Sequence, residues 1–398
     1  MLVDRKRAAA IMEERGLDFL LATRPENVYY ASGHFSQNQW YVTRWTQVYA
    51  LIPRDPGAPM GLVLPVNDAG PVAEYLPPDP PVELYGEYFV SEGPGPLRDP
   101  VDQRLKQLAL DSPRHRTVLD ALARLLERFG AMTGTIGVDE QGMDPALMEE
   151  ARGRLPSVSF SRAWEVFREI RQVKGSEEIR RLREAVRIIE AAMEAALRMA
   201  CPGATERDLH LEFEATIARM GGRPNYTILS FGERGARGNV FGSDRTLRRG
   251  DLIRFDIGCW FQGYYSDIAR NAILGEPSLH QRTCYDAILA GHRAALAMVR
   301  PGAMPKGIFE VGMAAARQAG LPHLRRHHVG HGIGLDFYEP PLLGPATEKP
   351  LVTGMVVNVE IPYYEIGEGG FQVEDTVVVT ETGCELLTRS PMELRILA

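Results

Sequence analysis

The segment Phe255-Asp-Ile-Gly-Cys-Trp-Phe-Gln-Gly-Tyr-Tyr-Ser-Asp267 holds two carboxylates eleven residues apart, Asp256 and Asp267. The apolar run Leu252-Ile-Arg-Phe255 just before Asp256 reads as a buried strand. A carboxylate buried there is costly unless a cation or donors meet it. If Cys259 pairs with Tyr264 in an antiparallel hairpin, Asp256 pairs with Asp267, and both project from one face. Two carboxylates side by side repel, which raises a pKa unless a cation intervenes.

A second stretch repeats the arrangement. Val356-Val-Asn-Val-Glu360 and Phe371-Gln-Val-Glu374 flank a glycine-rich turn centred on Gly367, so Glu360 and Glu374 are expected opposite each other. A lone strand carboxylate is usually paired with Arg or Lys, but four inward carboxylates in two hairpins ask for cations. Between the hairpins, His323, His327, His328 and His331 crowd into nine residues. His331 stands between glycines, where backbone can approach a ligand closely. One imidazole and four carboxylates make a mostly hard ligand set that balances two divalent ions. Water bridging two such ions would act as hydroxide near neutral pH.

The rest of the chain supplies the frame. Its 398 residues suit one large or two ordinary domains, and 44% hydrophobic with 24% charged residues is a globular composition. A net charge of −7 argues against nucleic acid and anionic membrane as partners. No apolar run reaches a membrane span and the basic start has no signal-peptide core, so the expected location is cytoplasmic. The cysteines Cys201, Cys259, Cys284 and Cys384 show no C-x-x-C spacing. They are read as buried structural thiols in a reducing compartment, with no thiolate metal site. The N-terminal part reads helix (3–16), strand (17–23), a helix opening at Pro25, then strands in 48–53 and 60–66. A Pro/Gly-rich segment (76–96) is expected to be neither regular helix nor central strand. Helices at 101–109 and 117–130 and a strand near 134–140 complete an α/β domain. A long helix with Ser176 as N-cap ends near Pro202, and a second is capped by Thr205 and Asp208. Strands follow, interrupted by a helical pair near 278–319.

These segments, in this order, resemble the creatinase/aminopeptidase P/prolidase family, the pita-bread metallohydrolases. The resemblance rests on residues 256–271, 327–335 and 369–377, with 12–33 and 170–185 like the auxiliary domain and the entry to the catalytic domain. It implies an α/β fold with a creatinase-like domain over 1–165 and a pita-bread catalytic domain over 166–398. It implies metal ligands Asp256, Asp267, His331, Glu360 and Glu374, with Asp267 and Glu374 bridging two divalent ions (manganese, cobalt or zinc). The implied activity is hydrolysis of Xaa-Pro bonds, chiefly in dipeptides, by a metal-bridging hydroxide. His327 would contact the oxyanion, Glu360 would carry the proton, and Tyr226 would lie near the substrate. Xaa-Pro aminopeptidase action on longer peptides, or hydrolysis of a small non-peptide amide, is the alternative. A non-enzymatic binding protein would have lost ligands, and all five are here.

Three positions depart from the family pattern. Asn239 and Tyr338 stand where histidines are usual, and Gln372 replaces an arginine that helps dock the substrate carboxylate. His328 or Tyr338 could stand in for the missing histidines. Residues 33–45 carry aromatics and Arg44 without a clean period, and read either as a strand on the auxiliary core or as a loop crossing a homodimer interface. In the second reading Arg44 holds the carboxylate that Gln372 cannot, with Trp40 or Tyr41 walling the pocket.

Overall fold

The computed structural model describes residues 2–42, 46–77 and 80–398, which divide into two compact units, 1–171 and 172–398. Unit 1 is a seven-stranded mixed sheet with helices. Its strands are β1 (Phe19–Ala22), β2 (Tyr49–Pro53), β3 (Gly61–Pro65), β4 (Val82–Tyr85), β5 (Arg114–His115), β6 (Thr135–Val138) and β7 (Ser159–Arg162), in the order β5-β4-β3-β2-β1-β6-β7. Its helices are α1 (Arg5–Glu14), α2 (Pro25–Ser32), α3 (Ala69–Tyr75), α4 (Pro100–Lys106), α5 (Val118–Arg128), α6 (Pro145–Arg154) and α7 (Trp164–Arg171). A Thr117–Asp120 capping box starts α5, whose Leu119, Leu122 and Leu126 join Leu51 and Val63 of the sheet in one core.

Two expectations fail in this unit. Val82–Tyr85 forms a strand with neighbours on both sides, inside the Pro/Gly-rich segment. The prolines of the segment lie before and after the strand, so none removes a ladder donor from it. Residues Asn38–Val42 form a helical turn of π type rather than a strand, with Trp40 stacked on Phe35 at 5.2 Å. Arg44 lies outside the described residues.

Unit 2 is built on α8 (Ser176–Arg198), α9 (Glu206–Arg219), α10 (Leu279–Ala297), α11 (Pro305–Gln318) and a ten-stranded sheet. The strands are β8 (Arg223–Phe231), β9 (Leu252–Phe261), β10 (Tyr264–Tyr265), β11 (Ile268–Leu274), β12 (Gly330–Gly332), β13 (Glu339–Leu342) and β14 (Val356–Glu360). After these come a separate hairpin, β15 (Tyr363–Glu365) and β16 (Gly369–Phe371), and then β17 (Glu374–Val379), β18 (Cys384–Leu386) and β19 (Arg395–Leu397). The central path is β10-β9-β11-β17-β14-β12-β13. Side chains alternate across it. Ile253, Phe255, Ile257 and Cys259 pack with α8 and α9 residues, while Val357, Val359, Val377 and Val379 pack with α10 and α11 residues. The positions between them, including Asp256, Glu360 and Glu374, therefore face the other way.

The β9–β11 register differs from the expectation by two residues. Asp256 stands opposite Ala269, and the Ser266 N–H donates to the Cys259 carbonyl at 2.9 Å. The cause is the turn. Gln262 (φ 49°) and Gly263 (φ 94°) are its two central residues, both at positive φ, which makes the tightest two-residue loop. A two-residue slip preserves the face, so Asp267 still points where Asp256 points. In α8 the N-cap is Gly175 rather than Ser176, because Glu178 reaches back to accept from the Gly175 N–H at 2.8 Å. Thr205 and Asp208 cap α9 as expected. All four cysteines are free, and Cys201 is exposed rather than buried. Among the described residues no helix is long and apolar enough to cross a membrane.

Candidate active site

Five side chains from neighbouring strands converge on one face of the unit 2 sheet. Asp256 is in mid-β9, Asp267 precedes β11, His331 is in β12, Glu360 ends β14 and Glu374 begins β17. Glu360 and Glu374 are directly opposed, as their spacing around Gly367 predicts. Each of the five is at most 6% exposed. Donor atoms of Asp267, His331 and Glu374 lie within 4.8 Å of one another. Nδ1 of His331 donates to its neighbour, the Gly332 carbonyl, at 2.9 Å, which leaves Nε2 free to face Asp267 Oδ2 at 3.6 Å. The flanking glycines serve the sheet rather than a ligand. A Cβ at Gly330 (φ 144°) would fall 2.0 Å from the Asn358 carbonyl, and one at Gly332 2.5 Å from that of Pro340.

The electrostatics of this cluster favour a proton or a cation among the carboxylates. Burial, then the charge of Asp256, pushes Asp267 well above the ordinary aspartate value. Burial, then Asp267 and Glu360, does the same to Glu374, and burial raises Glu360 to about 7. Asp256 is also raised by burial, although Arg254 opposes the shift. Oδ1 of Asp267 and Oε1 of Glu374 are buried with no hydrogen-bond partner. Orphaned carboxylate oxygens of this kind, beside an imidazole nitrogen with a free lone pair, fit divalent metal.

Around the cluster is a cavity of about 370 Å³ lined by Tyr226, Asn239, Arg326, Phe337, Tyr338, Tyr364 and Gln372 as well as carboxylates. That volume suits a small ligand. The Tyr226 hydroxyl donates to Asn239 Oδ1 at 3.2 Å, so these two sequence-derived candidates meet. Tyr338 stacks on His331 with ring centroids 3.7 Å apart. His327 is exposed, whereas His328 is half-buried with Nδ1 3.4 Å from Glu360 Oε1. Burial pushes His328 down to about 4, so its ring is neutral near pH 7.

Sequence reasoning overlooked four residues here. Arg254 lies two before Asp256 on the same face, and strand alternation signals this. Its guanidinium donates to Asp256, to Gln372 Oε1 (2.8 Å) and to the Tyr364 hydroxyl (3.0 Å). A buried arginine from β9 thus reaches Gln372, the position where the family pattern has arginine, but its donors are spent on protein groups. Arg326 lines the cavity, and its Nε has no hydrogen-bond partner. Phe337 packs against Tyr226 at 5.1 Å and Tyr364 helps close the cavity. The loop carrying Phe337 and Tyr338 is pinned by a fully buried Lys174–Glu339 pair, at 2.7 Å.

Comparison with known proteins agrees with this arrangement. Residues 180–381 match the model of metallopeptidase family M24, and residues 5–68 match the creatinase/prolidase N-terminal domain. An Xaa-Pro dipeptidase of Pyrococcus furiosus is 30% identical over 66% of this chain and 76% of that relative. A probable dipeptidase PepE of Mycobacterium tuberculosis is 33% identical over 67% and 70%. A solved prolidase from Pyrococcus horikoshii superposes with a TM-score of 0.77 at 25% identity, covering 98% of this chain and 99% of that one. With a creatinase-like N-terminal domain, a pita-bread domain following it in the sequence and this cluster of buried carboxylates, the chain belongs to metallopeptidase family M24.

Proposed function

We propose that the protein hydrolyses Xaa-Pro peptide bonds, chiefly in dipeptides, using two divalent ions held by Asp256, Asp267, His331, Glu360 and Glu374. The observation that carries this reading is the set of four buried, mutually repelling carboxylates around one imidazole. The relatives named Xaa-Pro dipeptidase and prolidase support the substrate class. When bound, the ions supply Lewis acidity and lower the pKa of water. Asp267 and Glu374, each with a buried oxygen that has no hydrogen-bond partner, would hold the ions when these are bound. Glu360 carries the proton from the attacking water to the leaving nitrogen. The resemblance gives the oxyanion contact to His327, but the half-buried position of His328 beside Glu360 supports assigning it there. Arg326 holds the substrate carboxylate in place of Arg44 and of the arginine that Gln372 replaces. Residues 1–165 are the auxiliary domain and 166–398 the catalytic one. A homodimer, to be checked by sedimentation, completes the reading.

The altered positions Asn239, Tyr338 and Gln372 favour a second reading, a small non-peptide amide as substrate. One experiment separates these readings. Protein stripped of metal is resupplied with manganese, cobalt or zinc and offered Xaa-Pro dipeptides, longer Xaa-Pro peptides and small lactams or amidines. Metal-dependent cleavage greatest on dipeptides is expected. Cleavage of the small amides alone replaces the first reading with the second, and inactivity toward every Xaa-Pro peptide with every metal removes the first.

A further inference from the structure

Three donor side chains of unit 2 meet where the proposed hydrolytic chemistry makes no use of them. His280 and Cys284 lie one turn apart on α10, so both point to the same side of the helix. Glu365 ends β15 and faces them. His280 Nε2 is 2.8 Å from Glu365 Oε2, and Cys284 Sγ is 3.6 Å from the first and 3.9 Å from the second. The histidine is half exposed and the glutamate partly so, while the cysteine is 1% exposed. An exposed His–Glu contact alone is an ordinary surface pair. A shielded sulfur within reach of both donors is not.

We propose that His280, Cys284 and Glu365 form a separate divalent-cation site of the zinc class. Nitrogen, sulfur and oxygen donors around a tetrahedral zinc ion stand about 3.3–3.6 Å apart at ordinary bond lengths. The two sulfur distances are already close to this range, and the His–Glu pair needs to open by only about half an ångström. A thiolate and a carboxylate neutralise the ion, and the exposed side leaves a fourth position for water. The site would tie α10 to the β15–β16 hairpin. That hairpin carries Tyr364, whose hydroxyl meets Arg254 behind Asp256. The expectation of no thiolate metal site rested on C-x-x-C spacing, whereas here the third donor comes from a distant hairpin.

Cobalt titration of the chelator-dialysed protein tests the proposal, because the five-residue centre contains no sulfur. Only a Cys-bound cobalt ion gives the near-ultraviolet thiolate-to-metal band. The band is expected to saturate at one equivalent of this site, to bleach on adding zinc, and to persist in a Cys201→Ser control. Cys284→Ser should abolish it, and His280→Ala, at an exposed position, should weaken cobalt binding there by roughly tenfold or more. Both variants should keep metal-dependent hydrolysis within about twofold of the parent, since neither residue contacts the cavity. Absence of the band in the parent, its survival in Cys284→Ser, or unchanged cobalt affinity in a folded His280→Ala protein overturns the proposal.

Discussion

Asp267 and Glu374 each leave one carboxylate oxygen buried without a hydrogen bond, which marks them as the residues whose charge a cation must meet. Asp267→Ala and Glu374→Ala should each lose at least one equivalent of bound metal and nearly all turnover, on the order of a thousandfold. Metal content measured beside the rate checks this. A Glu374→Ala protein with full metal content and more than a tenth of the parental rate contradicts it. Arg326 is the second residue-scale test. Arg326→Ala should raise KM for dipeptides about tenfold or more, because a charge-assisted contact to carboxylate is lost. It should barely change KM for amide-capped analogues, and an equal effect on both would remove the clamp. The five acidic and imidazole positions were legible in the sequence because carboxylates inside apolar strand runs are conspicuous. Arg254 was legible in principle by alternation from Asp256. Arg326 and Phe337 were not, since they enter the cavity from loops, where no period tells which way a side chain points.

At the scale of elements, the β9–β10 turn sets the position of Asp267. Gly263 has φ 94°, which a side chain resists, so Gly263→Ala should destabilise unit 2 by about 1 kcal/mol. Denaturant unfolding measures this, and an unchanged midpoint would mean that the turn tolerates strain. The same turn explains the error in register. Face depends on parity alone, which the spacing of two aspartates specifies, whereas register depends on loop length, which Phe-Gln-Gly-Tyr leaves open among several turns. Helices with a capping box, such as α5 and α9, could be read from Thr117 and Thr205 to within a residue. The strand Val82–Tyr85 could not, because it is held by partners β3 and β5 rather than by local composition. The segment 38–42, which has no clean period and reads as either strand or loop, likewise takes a helical turn that its sequence does not signal.

For the whole molecule, the carboxylate cluster couples stability to metal and to pH. Burial raises Asp256, Asp267, Glu360 and Glu374 above their unfolded values. Groups raised in this sense stabilise fully below the unfolded pKa, and that contribution is lost as pH rises through the folded one. Metal-free protein should therefore melt at lower temperature at pH 8 than at pH 5. Saturating cation should reverse the trend, adding about 3 kcal/mol at a hundredfold excess over Kd. Differential scanning calorimetry with and without chelator reads both effects, and a chelated protein equally stable at the two pH values would deny the cluster its energetic role. The order of the ligands also bears on how the protein is made. Unit 1 precedes every ligand in the chain, so it can fold while the metal centre does not yet exist. Asp256 and Asp267 leave the ribosome early, whereas β17, which lies between β11 and β14 in the sheet, is translated on the order of ten seconds later. During that interval the nascent β9–β11 hairpin holds an open edge and two crowded carboxylates with no partner strand. Slowed elongation across residues 275–373 would lengthen the exposure, and chaperone demand during synthesis should rise with it.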